Sequence, residues 1–131
     1  MKKCPVVHFE MLAKDNKRAS DFYSKTFGWN MNQLGEEMGN YLLAETADSV
    51  NGMSTTPGTI NGGFYSPTPD QKVGQNTHVV IGVDDIAAKI KEVKANGGQI
   101  LDEVMDIPGI GKYVSIIDTE GNTVGILQPA R

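Results

Sequence analysis

A chain of 131 residues, 39% hydrophobic and 21% charged, has single-domain size and enough apolar surface for a core, which excludes a disordered segment. Twelve Lys and Arg against sixteen Asp and Glu leave a net charge of −4, the wrong sign for non-specific nucleic-acid binding, which neutralises phosphates with clustered cations. Cys4 is the only cysteine, so an internal disulfide is excluded and a reducing, cytoplasmic compartment is expected; no apolar run suits a signal peptide or a membrane span.

In chain order, residues 6–11 alternate as a strand, with Val7, Phe9 and Met11 on one face and His8 and Glu10 on the other. Asp15 or Asn16 caps a helix whose apolar stripe is Ala19, Phe22, Tyr23 and Thr26, and Gly28 closes it. Lys14, Lys17 and Arg18 read as a solvated helix face, and Trp29 as a packing residue at the helix end. Three strands are expected near 30–34, 41–46 and 59–65, with residues 47–58, rich in Ser, Thr, Gly and Pro, as a mobile loop between the last two.

After a Pro- and Gly-containing linker the pattern repeats. Residues 78–83 alternate, with Val79, Ile81 and Val83 as the apolar face and His78, Val80 and Gly82 opposite. Asp84 or Asp85 caps a helix carrying Ile86, Ile90 and Val93, and Asn96-Gly97-Gly98 stops it. Strands follow near 100–105, 113–118 and 123–128. Gly109-Ile110-Gly111 lacks the Lys and Ser/Thr of a phosphate loop and reads as a turn; Asp118 to Asn122 reads as a hairpin turn.

The halves match residue by residue: His8 with His78, Asp15 with Asp85, Gly28 with Gly98, and Gly39-Asn40-Tyr41 with Gly111-Lys112-Tyr113. The expected class is α+β, built of two tandem β-α-β-β-β modules in one domain over residues 1–131: module one about 5–67, linker about 68–75, module two about 76–129. The apolar strand faces pack on the helices, and the mixed faces carrying both histidines line the opposite, concave side. Tyr41 and Tyr113, equivalent by the repeat, offer phenol hydroxyls to a ligand there.

The duplicated unit, the histidine heading each half, Phe22-Tyr23 before Phe27-Gly28-Trp29, Gly62-Gly63, Val83-Asp84-Asp85, Gly97-Gly98, Ile107-Pro108-Gly109 and Asp118-Thr119-Glu120-Gly121-Asn122 together resemble the vicinal oxygen chelate superfamily of glyoxalases, bleomycin-resistance proteins and extradiol dioxygenases. The resemblance covers essentially the whole chain. It implies a cupped mixed sheet around a small-molecule site, usually in a homodimer. It also implies a divalent metal (Fe, Ni, Zn or Mn in candidate members) held from the first and last strand of each half. The first-strand positions match His8 and His78; the last-strand positions, usually Glu or His, fall on Gly63 and Gly125. Two imidazoles are a poor site for a catalytic metal, which normally takes three protein ligands, and Glu10 is the available third.

Two functional readings follow. In one, a site lined by His8, Glu10, His78, Tyr41, Tyr113, Gly63 and Gly125 binds a small organic molecule without a tightly held metal, the two glycines widening the cavity. In the other, His8 and His78 hold a metal and Glu10 moves a proton in a lyase, isomerase or dioxygenase acting on vicinal oxygens. A dimerisation module with a vestigial cavity ranks third. No cofactor is firmly implied, and neither nucleic acid nor membrane is an expected partner.

Overall fold

The computed structural model describes residues 2–69 and 76–130; positions 70–75 of the expected linker lie outside the described residues. In chain order the elements are β1 (Val6–Leu12), α1 (Asn16–Phe27), β2 (Asn30–Gln33), a 3-10 turn (Glu36–Met38), β3 (Leu42–Glu45), β4 (Ser49–Val50), β5 (Met53–Ser54) and β6 (Asn61–Tyr65). Then come β7 (His78–Gly82), α2 (Ile86–Ala95), β8 (Gln99–Ile100), β9 (Met105–Ile107), β10 (Gly111–Ile117) and β11 (Thr123–Pro129). The chain is α+β, with mixed strand pairing and two helices, and it divides into two compact units, His8–Thr77 and residues 2–7 with 78–130. The division falls inside β1: Pro5 goes with the second unit, where its carbonyl accepts from Gly82 N at 2.8 Å.

In the first unit the strand order is β2-β3-β6-β1, with β1 and β6 parallel and the other pairs antiparallel. Alternation sends Phe9 and Met11 to one face, where they pack on Ala13, Leu42, Ala44 and Phe64 together with Ala19 and Tyr23 of α1. The Asp15 side chain accepts from Arg18 N at 3.0 Å, and Gly28 ends α1 in the left-handed region at φ 72°. The helix stripe is narrower than the sequence suggests. Phe22 is 53% exposed, because only Ala19 and Tyr23 reach the core and Phe22 lies against Tyr23 edge-on.

The segment expected as an open loop is instead largely a β-hairpin, β4 paired with β5. Asn51 and Gly52 both have positive φ, 53° and 78°, the conformation a two-residue type I′ turn demands. The hairpin is tied to the sheet by Asn61, as described below.

In the second unit the order is β7-β11-β10-β8, with β9 pairing the other end of β10. Here β7 and β11 are parallel, as β1 and β6 are in the first unit. Val83, Ile86, Val114, Ile116 and Ile126 form the core, joined by Ile81, Ile90 and Val93. Asp85 caps α2 by accepting from Ala88 N at 3.1 Å. Two expectations change. The strand expected at 100–105 is two short ones, because Ser115 N donates to the Asp102 carboxylate at 2.9 Å rather than to a strand carbonyl, which interrupts the ladder. The β7 faces are also less sharply divided: Val79, at the open end of the apolar face, is 41% exposed, while Val80 on the histidine face is 1% exposed.

Candidate functional site

In the first unit, β1–β6 pairing sets Glu10 opposite Gly63, and β3–β6 pairing sets Leu43 opposite the same glycine. His8 and Glu10 share the face turned away from Phe9 and Met11. Tyr41 immediately precedes β3, and its ring lies over Gly63 so closely that a Cβ there would fall inside the ring. On the opposite face the ring of Phe9 lies over Gly62 in the same way. The Gly62-Gly63 pair therefore carries one aromatic ring on each face, which only two residues without Cβ allow.

The Tyr41 hydroxyl donates to Glu10 Oε2 at 2.9 Å and stands 3.0 Å from His8 Nε2. A phenol has one hydrogen, and the carboxylate takes it. His8 Nε2 is then the donor to Tyr41, which requires a proton on that nitrogen. The three side chains form a chain from imidazole through phenol to carboxylate. Tyr65, two residues beyond Gly63 on the same face, is half-buried and donates to the Asn76 carbonyl at 2.7 Å. Burial raises its pKa above the ordinary phenol value, and the negative charge of Glu10 adds to the shift.

Asn61, 7% exposed, stands opposite His8. Its Oδ1 accepts from Thr46 N at 2.8 Å, and its Nδ2 donates to Ser49 Oγ at 2.7 Å and Gly52 O at 3.2 Å. It thus anchors the β4–β5 hairpin at both its base and its turn.

The second unit repeats this geometry with different chemistry. Gly125 stands opposite Val80 on β7 and Ser115 on β10. The Tyr113 ring covers Gly125, with Cε2 at 2.8 Å and Cζ at 2.9 Å from where a Cβ would sit. Val80 takes the place of Glu10, and Thr123 the place of Asn61. Thr123 is likewise 7% exposed, but its Oγ1 has no hydrogen-bond partner. His78 is half-buried at the head of β7, on the face of Val80.

Of the residues singled out by sequence, His8, Glu10, Tyr41 and Gly63 come together in one unit, and Tyr113 and Gly125 in the other. The glycines do not widen a cavity, as the sequence suggested, because tyrosine rings fill the space above them. Sequence reasoning missed Asn61 and Tyr65, although both stand two residues from Gly63 and alternation alone puts them on its face. A shallow cavity of about 450 Å³ in the first unit, lined by Ala13, Asp15, Arg18 and Phe22 among others, lies at the start of α1 and includes none of His8, Glu10 and Tyr41.

The donor set does not fit a divalent metal. In the first unit His8 Nε2 and Glu10 Oε2 are both engaged by the Tyr41 hydroxyl, and the third position is a glycine under a ring. Among the described residues no group of three or more His, Cys, Asp or Glu is placed to hold a metal.

Comparison with known proteins agrees with this architecture. The chain is 29% identical over 122 residues to "Putative glyoxylase CFP32" of Mycobacterium bovis, a match covering 92% of this chain and 42% of that protein. It therefore spans about two fifths of that relative's length. It is 34% identical over 121 residues to a "Glyoxylase-like domain-containing protein" of Didymella fabae, covering 89% of this chain and 88% of the relative. Among solved structures, methylmalonyl-CoA epimerase from Mycobacterium tuberculosis superposes with a TM-score of 0.69 at 15% identity, covering 96% of this chain and 88% of that one, a likeness of fold. The family model of the Glyoxalase/Bleomycin resistance protein/Dioxygenase superfamily matches residues 6–126, and the chain belongs to that superfamily.

Proposed function

We propose that this protein binds a small organic molecule on the sheet face carrying His8, Glu10 and Tyr41, with Tyr113 and His78 as the second half's contribution, and that it does so without a tightly held catalytic metal. The observation that carries this reading is the Tyr41 hydroxyl, which stands within hydrogen-bond distance of both the first-strand imidazole and the only carboxylate on β1. A phenol held there supplies a polar anchor where metal-dependent members would need open coordination positions. The ring over Gly125 supports the same reading for the second half. Family membership supports a homodimer, and the lone, half-buried Cys4 is consistent with a cytoplasmic protein.

The test is metal content after anaerobic reloading with iron, nickel, zinc or manganese, combined with a screen of small organic ligands by NMR. Substoichiometric metal, together with ligand-induced shifts at His8 and Tyr41, is the expected result. One tightly held metal per chain, lost in His8→Ala, overturns the reading and restores a metal-dependent lyase or dioxygenase with Glu10 as the third ligand.

A further inference from the structure

The charges on the two site faces specify a ligand class. On the first unit's site face, the positions that alternate with core residues on β1, β2, β3 and β6 carry two ionisable carboxylates, Glu10 and Glu45, and no Lys or Arg among the described residues. Glu45 stands at the sheet edge, where its Oε1 accepts from Asn30 Nδ2 at 3.0 Å. Glu10 is the central charge, with the Tyr41 ring over the neighbouring Gly63 and Tyr65 close enough to feel its field. The corresponding face of the second unit, at Val80, Gly125, Tyr113 and Thr123, carries neither a carboxylate nor a Lys or Arg.

From this arrangement we infer that the ligand is an organic cation, an amine or quaternary ammonium compound, held by the Glu10 carboxylate against the faces of Tyr41 and Tyr65. An anion brought to either face would meet no positive side chain, and on the first face it would meet Glu10. A cation meets a carboxylate and two electron-rich rings, the combination that recognises substituted ammonium groups. His8, donating to Tyr41, keeps the phenol oriented toward Glu10 and so acts as a positioning residue. The inference rests on the reading that this face binds a small molecule, and it departs from the solved epimerase, whose named substrate, methylmalonyl-CoA, is an anion.

Two probes of similar size and opposite charge test it: benzyltrimethylammonium and benzoate, titrated against the full chain while the aromatic NMR resonances of His8, Tyr41 and Tyr65 are followed. The expected result is saturable shifts with benzyltrimethylammonium that weaken as salt rises, and none with benzoate. Glu10→Gln, which keeps an acceptor for the Tyr41 hydroxyl, should weaken the cation about tenfold, and Tyr65→Leu about threefold. Unchanged cation affinity in Glu10→Gln overturns the proposal, as does the failure of benzyltrimethylammonium to shift these resonances. Benzoate binding at the same resonances overturns the ligand class while leaving the small-molecule reading standing. A stoichiometric metal bound through His8, with neither probe shifting the resonances, removes both.

Discussion

The two halves of this chain keep the same backbone register and the same ring-over-glycine pairs, yet they differ where it matters for chemistry. Glu10, Gly63 and Leu43 stand in line across the first sheet as Val80, Gly125 and Ser115 do across the second. Tyr41 and Tyr113 cover the equivalent glycines. The carboxylate has a counterpart only in valine, and the buried asparagine only in a threonine whose hydroxyl has no partner. The shared part is the one that packing enforces, because a ring seated on a strand excludes any side chain beneath it. The part that differs carries charge and hydrogen bonds. A duplicated scaffold can thus hold its geometry constant while assigning the electrostatic work to one half.

The comparison is most severely tested at the glycines. Gly63→Ala and Gly125→Ala should each cost about 1–3 kcal/mol, read from the urea midpoint, since a methyl must displace a tyrosine ring. Adding Tyr41→Ala to Gly63→Ala should recover part of the loss in a double-mutant cycle. Strict additivity would show that the ring does not sit over the glycine.

The buried polar pair comes next. Asn61→Ala should cost about 1–3 kcal/mol by stranding the Thr46 N–H and releasing the hairpin, and limited proteolysis within 47–58 should accelerate. Thr123→Val, which removes an unpaired hydroxyl at nearly constant shape, should change stability little or raise it slightly. Equal losses at the two positions would erase the distinction between the halves.

The smallest effect concerns how each half joins its last two strands. The first half inserts the β4–β5 hairpin; the second uses a tight turn closed by Asp118. The Asn122 side-chain amide, followed by the backbone N–H groups of Asn122 and Glu120, holds the Asp118 carboxyl below its ordinary value. A depressed folded-state value adds stability above the unfolded value, near 3.8, and that contribution is lost as pH falls through the folded value. Asp118→Ala should therefore lower the melting temperature slightly at neutral pH, and the gap to wild type should close in acid. The group is fully exposed, so a gap that persists at low pH would point to turn geometry rather than charge.

Much of this was legible beforehand. The repeat, the alternation of β1, the Asp15 and Asp85 caps and the family resemblance all follow from local spacing. The Asn51-Gly52 turn was legible too, but the surrounding Ser, Thr and Pro drew attention to loop composition instead. The split at 100–105 was not legible, because it depends on the Asp102 side chain reaching Ser115 across the sheet.

By itself, the sequence determined the α+β duplication, the faces of the first strands and the absence of a side chain at Gly63 and Gly125. Side-chain alternation and helix capping are local, so nearest neighbours in the chain decide them. Only the tertiary structure decided what fills the space over those glycines, that one phenol stands by both His8 and Glu10, and that Asn61 holds a hairpin. Those outcomes depend on cross-strand register between segments tens of residues apart, and register is settled by how whole strands pair and pack.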